Sequence, residues 1–130
     1  MANTHAREKF FEAVNAFRSA DDQARSGGLD KIDAQAFQMV IIDLDAAIPG
    51  LTGAMLGRAL VIKGQCIYWL HLDNLVKSGK ESGLFDVDTP PDPRLKEGLS
   101  CAMKGRDILE ELGNTAELPW ANDVVNKLSG

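Results

Sequence analysis

Apolar residues recur along this chain with the period of an α-helix, in four long stretches and one short one. In the first, over about residues 4–25, Phe10, Val14 and Phe17 fall at i, i+4 and i+7 with Phe11 beside them, and Glu8, Lys9, Glu12 and Arg18 occupy the rest of the surface. That spacing predicts an amphipathic helix that opens with a cap near Thr4 and closes at Ser26-Gly27-Gly28, because glycine accepts the left-handed conformation of a helix end. A second helix is expected over 34–48, capped by Asp33, with Phe37, Val40, Ile41, Leu44 and Ile48 on one face and a break at Pro49-Gly50. So short a connection to the next helix makes the two antiparallel neighbours.

The third stretch, about 52–76, contains no proline. Placed at 100° intervals, Met55, Leu56, Ala59, Leu60, Cys66, Ile67 and Leu70 fill one broad side, and Gly53, Gly57 and Gly64 gather on an adjacent one. A glycine inside a helix costs about 1 kcal/mol relative to alanine, so three on one face mark places where another backbone comes close. The helix is therefore expected to be gripped on two sides. From Ser78 to Asp92 the pattern stops, and the glycines and prolines of SGKESGLFDVDTPPDP predict a loop at about 78–92. A fourth helix then starts at Pro93 behind Asp92, carries Leu95, Leu99, Ala102, Leu109 and Leu112, and closes at Gly113-Asn114. A short fifth, about 118–128, presents Trp120, Val124, Val125 and Leu128. No convincing period-2 stretch lies between turn signals, so the chain reads as all-α: a single helical domain over 1–130 built from antiparallel hairpins, 4–48 and 52–113, and a closing helix.

Charge and composition narrow the function. Basic residues number 14 and acidic residues 19, a net charge of -5, with 7 basic and 8 acidic residues up to Gln65 and 7 and 11 after it. No run of three adjacent Lys or Arg occurs, which argues against a nucleic-acid partner, since counterion release at basic faces supplies much of such affinity. The longest strongly apolar stretch, around residues 59–70, is interrupted by Lys63, Gly64 and Gln65, well short of the roughly 20 residues needed to span a bilayer. MANTHAREKFF lacks the apolar core of a signal peptide. Cys66 and Cys101 have no metal-site spacing and read as small apolar residues in a reducing compartment. The chain is expected in the cytoplasm, with no membrane, cofactor or metal requirement.

Two helical hairpins followed by a shorter helix also carry a family likeness. The stretch Leu44-Asp45-Ala46-Ala47-Ile48-Pro49, then Leu56-Gly57-Arg58-Ala59, then Lys63-Gly64 with Tyr68 beyond, resembles the junction between two tetratricopeptide repeats. Pro49 matches the turn proline, Gly57 or Gly64 the small crossing residue and Tyr68 the large aromatic. Ala102 and Ile108 or Leu109 come from the following helix. The likeness covers about residues 36–112. It departs from the family in hairpins longer than the usual unit of about 34 residues and in the loop that interrupts the second. An irregular bundle of four or five helices accounts for the same pattern. What the resemblance implies is protein or peptide binding in a groove.

Chemistry-bearing motifs are sparse. His71 and Asp73 stand two apart and diverge on a helix; HExxH and Glu-x-x-His are missing. Asp86, Asp88 and Asp92 lack the central glycine and terminal glutamate of a calcium loop. Neither Gly-x-Ser-x-Gly nor a phosphate-binding loop occurs. Cys66 sits among Ile62, Ile67 and Leu70, and one lysine, Lys104, does not make Cys101 a reactive thiolate. The expectation is a non-enzymatic protein-interaction or adaptor module, self-association included. Its contact surface would comprise Tyr68, Leu72, His71 and Phe85, with Trp69 adjoining; the other reading of this group is that the loop after Ser78 or the fifth helix folds over it. The alternative is a small ligand-binding or enzymatic domain with a pocket near Arg58, Lys63 and His71, to which Gln65 would contribute.

Overall fold

The computed structural model describes residues 4–82 and 93–129. All its regular structure is helical: α1 (Thr4–Gly27), α2 (Ala34–Ala47), α3 (Gly53–Ser82), α4 (Pro93–Glu111) and α5 (Leu118–Leu128), with short 3-10 turns at Leu29–Lys31 and Ile48–Gly50. The local reasons are those legible in the sequence. Asp33 caps α2 by accepting a hydrogen bond from the Ala36 amide at 3.0 Å. Gly113, at φ 71°, reverses the chain after α4 while the Asn114 amide donates back to the Leu109 carbonyl at 2.9 Å, the closing bond of a Schellman turn.

The end of α3 and the place of Gly53 differ from expectation. α3 runs through Ser78 and Gly79 to Ser82, past the end expected near Val76. An isolated glycine costs a helix only about 1 kcal/mol, and no proline intervenes before Pro90 to force a stop. The rest of the expected loop, with Phe85, Asp86, Asp88 and the cap Asp92, lies outside the described residues. Gly53 does not belong to the packing stripe: it opens α3 at φ 63°, and a Cβ there would meet nothing within 4 Å.

α1 buries Ala6, Phe10, Ala13, Phe17, Ala20 and Ala24, alternately three and four residues apart, against Phe37, Val40, Ile41, Leu44 and Ala47 of α2. Ala59, Ile62, Cys66, Ile67, Trp69 and Leu70 of α3 complete this first core. Phe37 joins the two halves, meeting Phe17 edge-on at 6.4 Å and stacking on Trp69 at 6.0 Å. A second core forms on the other side of α3, where Val61 packs with Ala102, Leu109, Ala121, Val124, Val125 and Leu128. The expected grip on two sides of α3 is thus present.

Glycine makes the α3–α4 grip close. A Cβ at Gly57 would stand 3.1 Å from the Gly105 carbonyl oxygen, and one at Gly64 would stand 2.9 Å from the Gly98 carbonyl oxygen. The pairs Gly57–Gly105 and Gly64–Gly98 run in opposite directions seven residues apart on each helix, so α3 and α4 are antiparallel with backbones in contact two turns apart. α2 packs across α1 and α3, and α4 packs across α3 and α5. The odd-numbered helices lie in sequence beside one another, α1 against α3 and α3 against α5, and among the described residues the backbones of α1 and α5 do not approach each other. That gap between α1 and α5, floored by α3, is where the fold leaves a channel. No helix among the described residues is long and apolar enough to cross a membrane.

Candidate functional site

The channel has a volume of about 600 Å³. One wall is the stripe of α1 that carries Phe10, Phe11, Val14, Asn15, Phe17 and Arg18; Arg58 of α3 reaches in from the floor, and Glu117 and Trp120 at the start of α5 form the far wall. Phe10 and Phe17 are committed to the core, whereas Phe11, tilted against Phe10 at 5.6 Å, remains 49% exposed. The Arg58 guanidinium donates through Nε to both Glu117 oxygens, at 2.6 and 2.7 Å, tying α3 to the entry of α5. This bond to Glu117 outweighs desolvation and raises the Arg58 pKa above its ordinary value. Arg58 also lines a second, separate hollow of about 320 Å³ that Arg7 borders. Arg7 and Arg18 fall four residues before and seven after Phe11, on the same stripe of α1, and Arg58 borders both hollows of a chain that is acidic overall.

Behind the far wall runs a polar network that the sequence did not announce. Trp120 donates its indole N–H to Gln65 Oε1 at 3.0 Å, Gln65 Nε2 donates to Asp21 Oδ1 at 3.1 Å, and Trp69 donates its indole N–H to the same oxygen at 2.9 Å. Arg25 closes the chain with a 2.7 Å bond to Asp21 Oδ2 and lies 6.0 Å from the Trp69 ring centre. Gln65, at 2% exposed, is the hub through which α5 is fastened to α3 and α1. The side of α3 read as polar is in this respect interior, and Gln65 already has both of its polar atoms engaged.

The residues singled out from the sequence are dispersed. Tyr68 packs on the second core with the Lys127 ammonium 5.9 Å from its ring centre, while Leu72 packs on the first core. His71 is half-buried between them in sequence, and Phe85 lies outside the described residues. Lys63 does not extend to open solvent: its ammonium bridges Asp45 of α2 at 2.7 Å and Glu97 of α4 at 3.0 Å. Burial alone would lower the Lys63 pKa, but the two carboxylates overcome it and raise it. Arg58 and Lys63 thus bind different acids on different helices. Phe11, Arg18, Glu117 and Trp120 had no local signal beyond the position of Phe11 beside, rather than on, the apolar stripe of α1. Among the described residues no group of three His, Cys, Asp or Glu side chains is placed to hold a metal ion.

Both cysteines are free thiols. Burial, reinforced by Asp21, pushes the Cys66 thiol well above its ordinary value of 9.0, and burial also raises Cys101 against the opposing charge of Lys63. A raised folded-state pKa contributes stability that is complete below the unfolded-state value and is lost as pH rises toward the folded one. Lys63 acts with the same sign at higher pH. The melting temperature should accordingly fall as pH is raised past about 9, and Cys66→Ala, less stable at neutral pH, should show a flatter alkaline decline. Thermal melts across this range check it; parallel declines in the two proteins would remove Cys66 as a cause.

No protein-family model matches the chain, and no curated protein or solved structure matches it either. What stands is an all-α fold of five helices without strands among the described residues.

Proposed function

We propose that this chain is a polypeptide-binding module whose site is the channel between α1 and α5. The observation that carries the reading is Phe11: an aromatic side chain 49% exposed inside a concavity, flanked by Arg18, Arg58 and Trp120. Aromatic and arginine side chains are the residue types that anchor protein contacts, and a hollow that excludes water around them is where such anchors act. The side-by-side order of α1, α3 and α5, with α2 and α4 packed across them, supports the view that the fold is a degenerate tetratricopeptide-like array whose odd-numbered helices line the binding face. The role is binding rather than catalysis, and the free thiols suit a reducing cytoplasm. The channel is preferred to the surface at Tyr68 and Leu72 because those two side chains spend more of their area on the cores.

A library of displayed random peptides supplies the test. Peptides selected on the parent should bind Phe11→Ala about thirtyfold more weakly, the loss expected of an anchor worth about 2 kcal/mol, while a Tyr68→Ala, Leu72→Ala protein binds them as the parent does. Binding indifferent to Phe11, or lost only with Tyr68 and Leu72, would move the site elsewhere; an enclosed small molecule displaced by neither would favour the ligand-binding alternative.

A further inference from the structure

Two helix ends in this chain carry charge of the wrong sign for their own dipoles. α1 has no acidic residue in its first turn, where Arg7 stands, and α4 has no basic residue in its last turn, where Glu110 and Glu111 stand. A helix N-terminus favours negative charge and a C-terminus positive charge. All three of these residues and Arg18 are exposed, and none forms an ion pair among the described residues. Each group also flanks a large apolar side chain turned to solvent, Phe11 at 49% exposed beside the arginines and Leu112 at 55% beside the glutamates. The two patches are complementary in sign and alike in having an apolar centre.

We propose that the channel receives a second copy of this chain, whose acidic α4 end, residues 107–112, lies against Arg7 and Arg18 with Leu112 covering Phe11. This rests on the reading of the channel as a polypeptide site. Leu109 packs at Gly57 and Glu117 binds Arg58, so the end of α4 sits against the same turn of α3 that reaches the channel. A two-fold axis through that region brings each acidic end to the other copy's channel, so one closed dimer satisfies both contacts. Contact with the arginines supplies the cation that the end of α4 lacks, and contact with the glutamates supplies the anion that the start of α1 lacks.

Charge reversal with light scattering tests this. The parent should have about twice the 14.1 kDa mass of one chain and dissociate as salt is raised. Arg7→Glu/Arg18→Glu should be monomeric, because its acidic channel faces an acidic end, and Glu110→Lys/Glu111→Lys should be monomeric for the converse reason. Each should weaken association at least about tenfold. Both should remain helical by circular dichroism and melt somewhat below the dimeric parent, because association itself stabilises the folded chain. Mixed in equal amounts, the two variants should form a heterodimer in which both contacts are again opposite in sign. A parent that stays monomeric at its solubility limit, a reversed variant that still dimerises alone, or a mixture that fails to pair would each overturn the proposal. Selected peptides that still bind a monomeric parent through Phe11 would then leave the channel reading intact, and loss of that binding as well would remove both.

Discussion

Gly105→Ala should lower the stability of this protein by about 2 kcal/mol, although alanine is the better helix former. The intrinsic preference favours the substitution by about 1 kcal/mol. Against it, a Cβ at position 105 would stand 2.5 Å from the Gly57 carbonyl oxygen, 2.8 Å from Val61 Cγ2 and 3.0 Å from the Val61 amide nitrogen. Two of these neighbours are backbone and cannot rotate away, so α3 and α4 must separate. Overpacking of that kind costs roughly 1–3 kcal/mol and occasionally more, and separation also loosens Val61, Ala102 and Leu109 of the second core. The melting temperature is expected to fall by roughly 5–10 °C. Gly57→Ala should be milder, because its closest neighbour is the Leu109 side chain at 3.0 Å, whereas Gly57→Leu and Gly64→Leu should each cost roughly 1–3 kcal/mol. A Gly105→Ala protein that melts with the parent or above it would show that the helices cross at a greater distance.

Asp21→Ala should be at least as costly, about 3 kcal/mol. The carboxylate accepts from Gln65, Trp69 and Arg25 at once, and two of those donors belong to residues only 2% and 8% exposed. Without it, an amide N–H and an indole N–H are left without acceptors in the interior, each at about 1–3 kcal/mol. Asp21→Asn keeps one carbonyl oxygen for Trp69 or Gln65 and should retain part of the difference. Gln65→Leu should fall between the two, since it strands the Trp120 indole N–H but leaves Asp21 with Trp69 and Arg25. Urea melts of the three variants give the order directly. A cost below about 1 kcal/mol for Asp21→Ala would show that water replaces the carboxylate and that the network is peripheral.

The helices were legible because their apolar residues repeat locally. α5 and the start of α2 fall where caps and period placed them, and the glycines at 57 and 64 announced a close crossing before their partners at 105 and 98 were known. The end of α3 was not legible, since Gly79 is punctuation in a loop and a tolerable defect in a helix. The site was harder still. Gln65 donates to a residue 44 positions away and accepts from one 55 away, and nothing in its own neighbourhood distinguishes a buried amide from a solvated one. The sequence drew attention to Tyr68 and Leu72 as residues off the main stripe, but α3 is enclosed on two sides, so both have core neighbours. Phe11 lies on a helix enclosed mainly on one side, and the separation of the α1 and α5 backbones leaves it in a channel.

The central claim, that the channel between α1 and α5 is the polypeptide-binding face, is tested most directly by amide and indole chemical-shift mapping of the parent with a peptide selected from an unbiased library. The expected result is a set of perturbations at Phe11, Val14, Arg18 and Arg58 together with the Trp120 indole N–H, with the Trp69 indole, on the far side of Gln65, moving less. Perturbations centred on Tyr68, His71 and Leu72, with the α1 stripe and Trp120 unmoved, would contradict it.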